Sequence, residues 1–113
     1  MPARASSNAR PTHPGATLLD EFLRPTGTTQ KLFADHTGIS AVRVNQIIKG
    51  HRGITPDTAL RFSRVLGTAP EFWLERQVLW DLYKVQKSPA AAEIRRLKPL
   101  KLKKVRGAGS GRR

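Results

Sequence analysis

The stretch from Thr29 to Gly50 leaves this chain few folds to choose from. It reads Thr29-Gln30-Lys31-Leu32-Phe33-Ala34-Asp35-His36-Thr37-Gly38-Ile39-Ser40-Ala41-Val42-Arg43-Val44-Asn45-Gln46-Ile47-Ile48-Lys49-Gly50. Thr29 is placed to cap the free amides of one helix, and Ser40 those of a second. Gly38 between them supplies the left-handed backbone that a sharp turn needs. Ala34, four residues before it, is small enough for two helices to cross closely. Phe33, Ile39, Val44 and Ile47 are spaced to fill the wedge between them, and Gly50 stops the second helix. Each feature is weak alone, but at these fixed offsets they specify a helix-turn-helix.

The rest of the chain reads as further helices. Leu18, Leu19, Phe22 and Leu23 share one face of a first helix over 15–24, which Pro25 and Gly27 end. The second and third helices are 30–37 and 41–49. A fourth opens at Thr55-Pro56-Asp57, with a cap, a proline in the first turn and an acid at the positive end of the dipole, and stops at Gly67. A fifth opens on the capping-box pattern Thr68-Ala69-Pro70-Glu71 and runs to about Lys87. Residues 90–97 suit a short extra helix, and no period-two strand pattern stands out. The expected architecture is all-α: a five-helix domain over 13–87, a disordered segment over 1–12, and a basic tail over 88–113 that ends flexibly at 107–113.

The formal net charge of +13 is unevenly spread. The tail carries nine Lys/Arg against one Glu, whereas residues 15–87 carry ten against seven acids. Such a tail suits non-specific phosphate contact, the plain alternative being a solvated end that aids solubility. With no cysteine there is neither disulfide nor thiolate chemistry. The apolar runs are too short to cross a membrane and no secretory signal is evident, so a cytoplasmic protein is expected. His13, His36 and His51 lie far apart, with no carboxylate cluster at metal spacing and no phosphate loop. His13 is placed to cap the first helix, and His51 to meet a phosphate. Neither an enzyme nor a bound cofactor or metal is expected.

The outward face of the third helix carries the functional signal, because no acid lies between Ala41 and Lys49. A generic solvated helix mixes both signs. Ala41 and Val42 can pack on thymine methyls. Arg43 can bridge guanine O6 and N7, and Gln46, three residues on, can pair with adenine N6 and N7. Thr29, Gln30, Ser40, Asn45 and Lys49 read as phosphate contacts that set register, although Asn45 can equally cap or bridge within the protein. Arg52, beside His51 in a basic loop, completes the candidate DNA-binding set. Reading a two-fold operator with half-sites about 34–36 Å apart requires a dimer. The fifth helix, apolar on more than one face, offers Phe72, Trp73, Leu79, Trp80 and Tyr83 as the candidate interface; the alternative is that both tryptophans fill the monomer core.

From His13 to about Leu82 the residues resemble the HigA-type antitoxins of the Cro/CI-like (XRE) helix-turn-helix group. The resemblance is carried by His13-Pro14-Gly15, Leu18-Leu19-Asp20-Glu21-Phe22-Leu23, Val44-Asn45-Gln46-Ile47, Gly50-His51-Arg52-Gly53-Ile54-Thr55, Thr58-Ala59-Leu60-Arg61, Leu66-Gly67-Thr68 and Glu71-Phe72-Trp73-Leu74. It implies a homodimer that binds a palindromic operator in its own promoter, represses transcription, and neutralises a HigB-type toxin that cleaves mRNA. It also implies DNA contacts from Gln30, Arg43 and Gln46. Thr37 stands where the group usually carries leucine, which predicts looser packing at that corner. Ala41 and Val42 replace the long polar readers of related repressors, which shifts specificity onto Arg43 and Gln46. A stand-alone repressor without a toxin, and a pure protein-interaction module that no longer reads DNA, are the competing readings.

Overall fold

The computed structural model describes residues 10–103, which fold into six helices with no strand among them. The expectations for 1–9 and for 104–113 lie outside the described residues.

The helix α1 spans 14–26 as three successive stretches: α-helical Pro14–Thr17, π-helical Leu18–Leu23 and α-helical Arg24–Thr26. It runs two residues past the expected end. Pro25 sits inside its last turn and Gly27 stops it. A proline ring collides with the carbonyl four residues back in an α-helix. The wider π register just upstream, where the Arg24 N–H bonds five residues back to the Leu19 carbonyl, makes room for it. At the other end, His13 caps the helix as expected, its Nδ1 accepting from the Gly15 N–H at 2.9 Å.

The helix-turn-helix forms α2 (Gln30–Thr37) and α3 (Ala41–Ile48). The Thr29 hydroxyl accepts from the Leu32 N–H and the Ser40 hydroxyl from the Arg43 N–H, so both caps act as anticipated. Gly38 stands between them at φ +74°. The corner at Thr37 is not loose. Its hydroxyl donates to the Ala34 carbonyl at 3.1 Å and accepts from the Ile39 N–H at 3.3 Å, so the threonine is buried with its polar group satisfied.

Helix α4 is Pro56–Leu66 and α5 is Pro70–Gln86. The capping box expected before α5 does not form, since Ala69 occupies the cap position and makes no side-chain cap bond. Thr68 instead accepts a hydrogen bond from the Trp73 indole at 2.7 Å, and a buried indole N–H outbids an exposed helix amide for that hydroxyl. The sixth helix, α6 (Ala90–Arg95), packs back on α5 and buries Ala91, so the folded body extends past the expected boundary at residue 87. The core gathers Leu18 and Leu23 of α1, Phe33, Ile39, Val44 and Ile47 of the helix-turn-helix, Phe62 of α4 and Trp73 of α5. All four residues assigned to the inter-helix wedge are therefore in it.

Candidate nucleic-acid interface

Burial of Val44 and Ile47 fixes which way α3 faces. Residues 42, 45, 46 and 49 then form the opposite side, at helical spacing. Val42 is 66% exposed, and Ala41 and Lys49 are also exposed. Asn45 and Gln46 are half-buried because both are tied to neighbours. The Asn45 amide donates to Gln30 Oε1 at 3.0 Å, bridging α3 to α2. That is the intramolecular role weighed for Asn45, and it leaves the Gln30 amide hydrogens free to donate outward. The Arg52 Nε donates to Gln46 Oε1 at 2.9 Å.

Arg43 departs from expectation. It precedes Ile47 by four residues, so it flanks the core side of α3 and does not share Gln46's outward face. Its guanidinium donates to the Thr58 hydroxyl of α4 at 3.4 Å, and its Nε is buried without a partner. To reach a base, Arg43 must leave Thr58. The capping hydroxyls of Thr29 and Ser40 accept backbone N–H groups, so each retains its O–H to donate to a phosphate.

Much of the basic charge nearby is already paired: Lys31 with Asp35, Arg61 with Asp57, and Arg24 with Asp20. Lys49 and Arg52 have no ion-pair partner among the described residues, which leaves two free cations on the α3 side. Two supports escaped the sequence reading. Arg61 donates to the Thr37 carbonyl at 2.9 Å and so pins the turn to α4. Gln77 of α5 accepts from the Ile54 N–H at 2.7 Å and anchors the loop that carries Arg52. Neither has a local signature, because each partner lies more than twenty residues away in sequence.

The aromatic residues of α5 divide. Trp73, expected at a subunit contact, has no exposed surface and belongs to the monomer core. Phe72 is half-buried, with the Arg76 guanidinium 3.7 Å above its ring. Leu79 is 56% exposed. Trp80 packs edge-on against His13 at 5.5 Å and lies 6.0 Å from Tyr83. With Arg10, Pro11 and Thr12 these three line a groove of about 380 Å³, so the last residues of the expected disordered segment lie along α5.

Burial holds the His13 imidazole below its ordinary range, against the opposing pull of Asp81 and with a smaller push from Lys84. Its Nδ1 must stay unprotonated to cap α1. The unfolded chain therefore binds the proton more readily than the folded one. Stability is full above the ordinary histidine pKa of about 6.5 and falls as pH drops below it. Thermal melts over roughly pH 5 to 8 should show this loss, and His13→Asn, which keeps a capping acceptor but does not titrate, should flatten it.

The helix-turn-helix family matches residues 19–73. Virulence-associated protein I of Dichelobacter nodosus is 36% identical over 95 residues, 83% of this chain and 88% of that protein. Antitoxin HigA-1 of Vibrio cholerae is 38% identical over 74 residues, 66% of this chain and 70% of that protein. A solved structure described as Pseudomonas aeruginosa antitoxin HigA with higBA promoter matches at a TM-score of 0.75 and 33% identity, covering 80% of this chain and 99% of that one. The chain belongs to the HigA-type helix-turn-helix family. Membership places it among DNA-binding regulators and not among enzymes. The family match over residues 19–73 takes in both caps, the wedge and the loop at Arg52, and ends before the basic tail. No helix among the described residues is long and apolar enough to cross a membrane.

Proposed function

We propose that this protein binds an inverted-repeat operator upstream of its own gene as a homodimer, represses that operon, and neutralises a HigB-type, mRNA-cleaving toxin encoded beside it. The observation that carries the DNA half is the outward side of α3. Two helix starts are capped by hydroxyls, and α3 carries a side with no acid, beside two cations without an ion-pair partner among the described residues. Val42 and Ala41 meet thymine methyls, Gln46 reads a base edge, and Thr29, Gln30, Ser40, Asn45, Lys49 and Arg52 lie within the contact zone. Arg43 joins them only by exchanging Thr58 for DNA. Leu79, Trp80, Tyr83 and the exposed edge of Phe72 supply the dimer contact, with Trp73 acting from behind them. An operator-binding antitoxin of this kind would act in the cytoplasm. The toxin half rests on the family, since HigA-1 is by its description an antitoxin.

A footprint on the DNA upstream of the gene, at near-physiological salt, tests the first half. Protection of two half-sites one helical turn apart is expected. Diffuse, salt-sensitive coating would sink it and leave the basic tail as the only DNA contact. Co-expression with the adjacent reading frame tests the second half: failure to restore growth would leave a stand-alone repressor. Lys49→Ala should weaken binding to every sequence alike and lower the salt slope by about one, read by titrations at several salt concentrations.

A further inference from the structure

The Gln46–Arg52 hydrogen bond carries a consequence for which base this protein reads. A glutamine amide facing DNA is ambiguous, because its oxygen accepts and its nitrogen donates, and the two together match adenine N6 and N7. Here one lone pair of the Gln46 oxygen takes the Arg52 Nε–H at 2.9 Å, and the guanidinium beside it sets a positive charge against any second donor. The pair leaves the Gln46 amino group and the two terminal amino groups of Arg52 without partners among the described residues. All of these are donors, and one side of the pair is cationic. An adenine amino group facing that edge would meet donors and positive charge. A guanine presents O6 and N7, both acceptors. Arg43, the other arginine near α3, is turned to Thr58 and does not supply that edge.

The placement of Arg52 is built, not incidental. The chain leaves α3 through the Lys49–Gly50 turn, where the His51 N–H bonds back to the Gln46 carbonyl at 2.8 Å. Two residues beyond Arg52, Ile54 is buried and its N–H is held by Gln77 of α5. Only Arg52 and Gly53 lie between these anchors, which leaves the Arg52 backbone little freedom, and its side chain folds back onto Gln46.

We propose that Gln46 and Arg52 act as one donor-only unit that selects guanine over adenine in the half-site, with Arg52 as the positioning residue that sets the polarity of Gln46. This rests on the operator-binding reading above. The test is selection from duplexes randomised over about 20 base pairs, using the full chain, with Gln46→Ala, Arg52→Ala, Arg52→Lys and the double variant Gln46→Ala/Arg52→Ala. Wild type should select guanine at one position of each half-site. Gln46→Ala and Arg52→Ala should each lose that preference at the same position, by roughly 5- to 150-fold in the guanine-to-adenine affinity ratio. The double variant should lose no more than either single one. Arg52→Lys keeps the charge but lacks Nε, and should lose the preference as well. Circular dichroism melts at wild-type temperature establish that each variant is folded, as expected for an exposed arginine and a half-buried glutamine. The proposal is overturned if the Gln46-dependent position prefers adenine. It is also overturned if Arg52→Ala weakens all sequences equally while Arg52→Lys restores them, which would make Arg52 a phosphate contact. If wild type binds duplexes without preference at any position, the operator reading fails and takes this proposal with it.

Discussion

Gly15→Ala should cost the domain about 3 kcal/mol, although helix propensity alone predicts a gain of about 1 kcal/mol for that change. A Cβ built on Gly15 would stand 1.7 Å from the Ile47 carbonyl oxygen, 2.6 Å from its carbon and 2.9 Å from the Ile48 Cα. All three are backbone atoms of α3, so no rotamer change relieves the clash. Either α1 withdraws from α3 or the last turn of α3 deforms. Both outcomes damage the recognition helix, because Ile47 is one of the two buried residues that orient it. Overpacking a core usually costs about 1–3 kcal/mol when side chains can shift, and the upper end applies where only backbone can. The control is Gly67→Ala, where φ is +78° and nothing lies within 4 Å of the new Cβ. There only the left-handed penalty of about 1–2 kcal/mol applies. Urea unfolding of the two variants checks the ranking. A Gly15→Ala loss below that of Gly67→Ala would mean α1 and α3 do not cross as closely as described.

The same contact marks where reading the sequence stops. The helix-turn-helix was legible because its determinants are local: Thr29, Ala34, Gly38 and Ser40 act within a few residues of their own positions. Gly15 was visible only as part of the family's His13-Pro14-Gly15 run. Its reason is Ile47, thirty-two residues on, and no local pattern records that. Arg43 was misplaced for a related cause. Its spacing to Gln46 puts the two within a helical turn of each other, but its spacing to Ile47 decides the matter once Ile47 is known to be fully buried. The end of α1 was misjudged because Pro25 stops an α-helix, and the π stretch at Leu18–Leu23 that accommodates it has no composition of its own. The α5 residues were the least decidable. Phe72, Trp73, Leu79 and Trp80 are all apolar on one long helix, and which of them is covered depends on α1, α4 and His13.

That ambiguity makes Trp73→Ala the most informative substitution in α5. The indole lies at ring-centroid distances of 5.0 Å from Phe72, 5.1 Å from Phe62 and 5.4 Å from Phe22, and its N–H is satisfied by Thr68. Truncation removes the largest fully buried side chain of the domain. It opens a cavity shared by α1, α4 and α5 and leaves the Thr68 hydroxyl without its donor. Such truncations cost about 3–5 kcal/mol, a large share of the 5–15 kcal/mol typical of a domain's total stability. A residue at a subunit contact behaves differently. It shifts the dissociation constant, and its effect on melting depends on protein concentration. Trp73→Ala should therefore lower the melting temperature by a similar amount at every concentration, with monomer and dimer equally affected. Leu79→Asp, on the exposed side of the same helix, should do the reverse: sedimentation should show dissociation, while the separated subunit keeps its helical circular dichroism. If Trp73→Ala dissociated folded subunits, or Leu79→Asp unfolded them, the division of α5 into a core side and a partner side would be wrong. The two results together read the proposed dimer contact apart from the fold that supports it, and any loss of operator binding in Leu79→Asp could then be assigned to the proposed two-fold pairing of recognition helices alone.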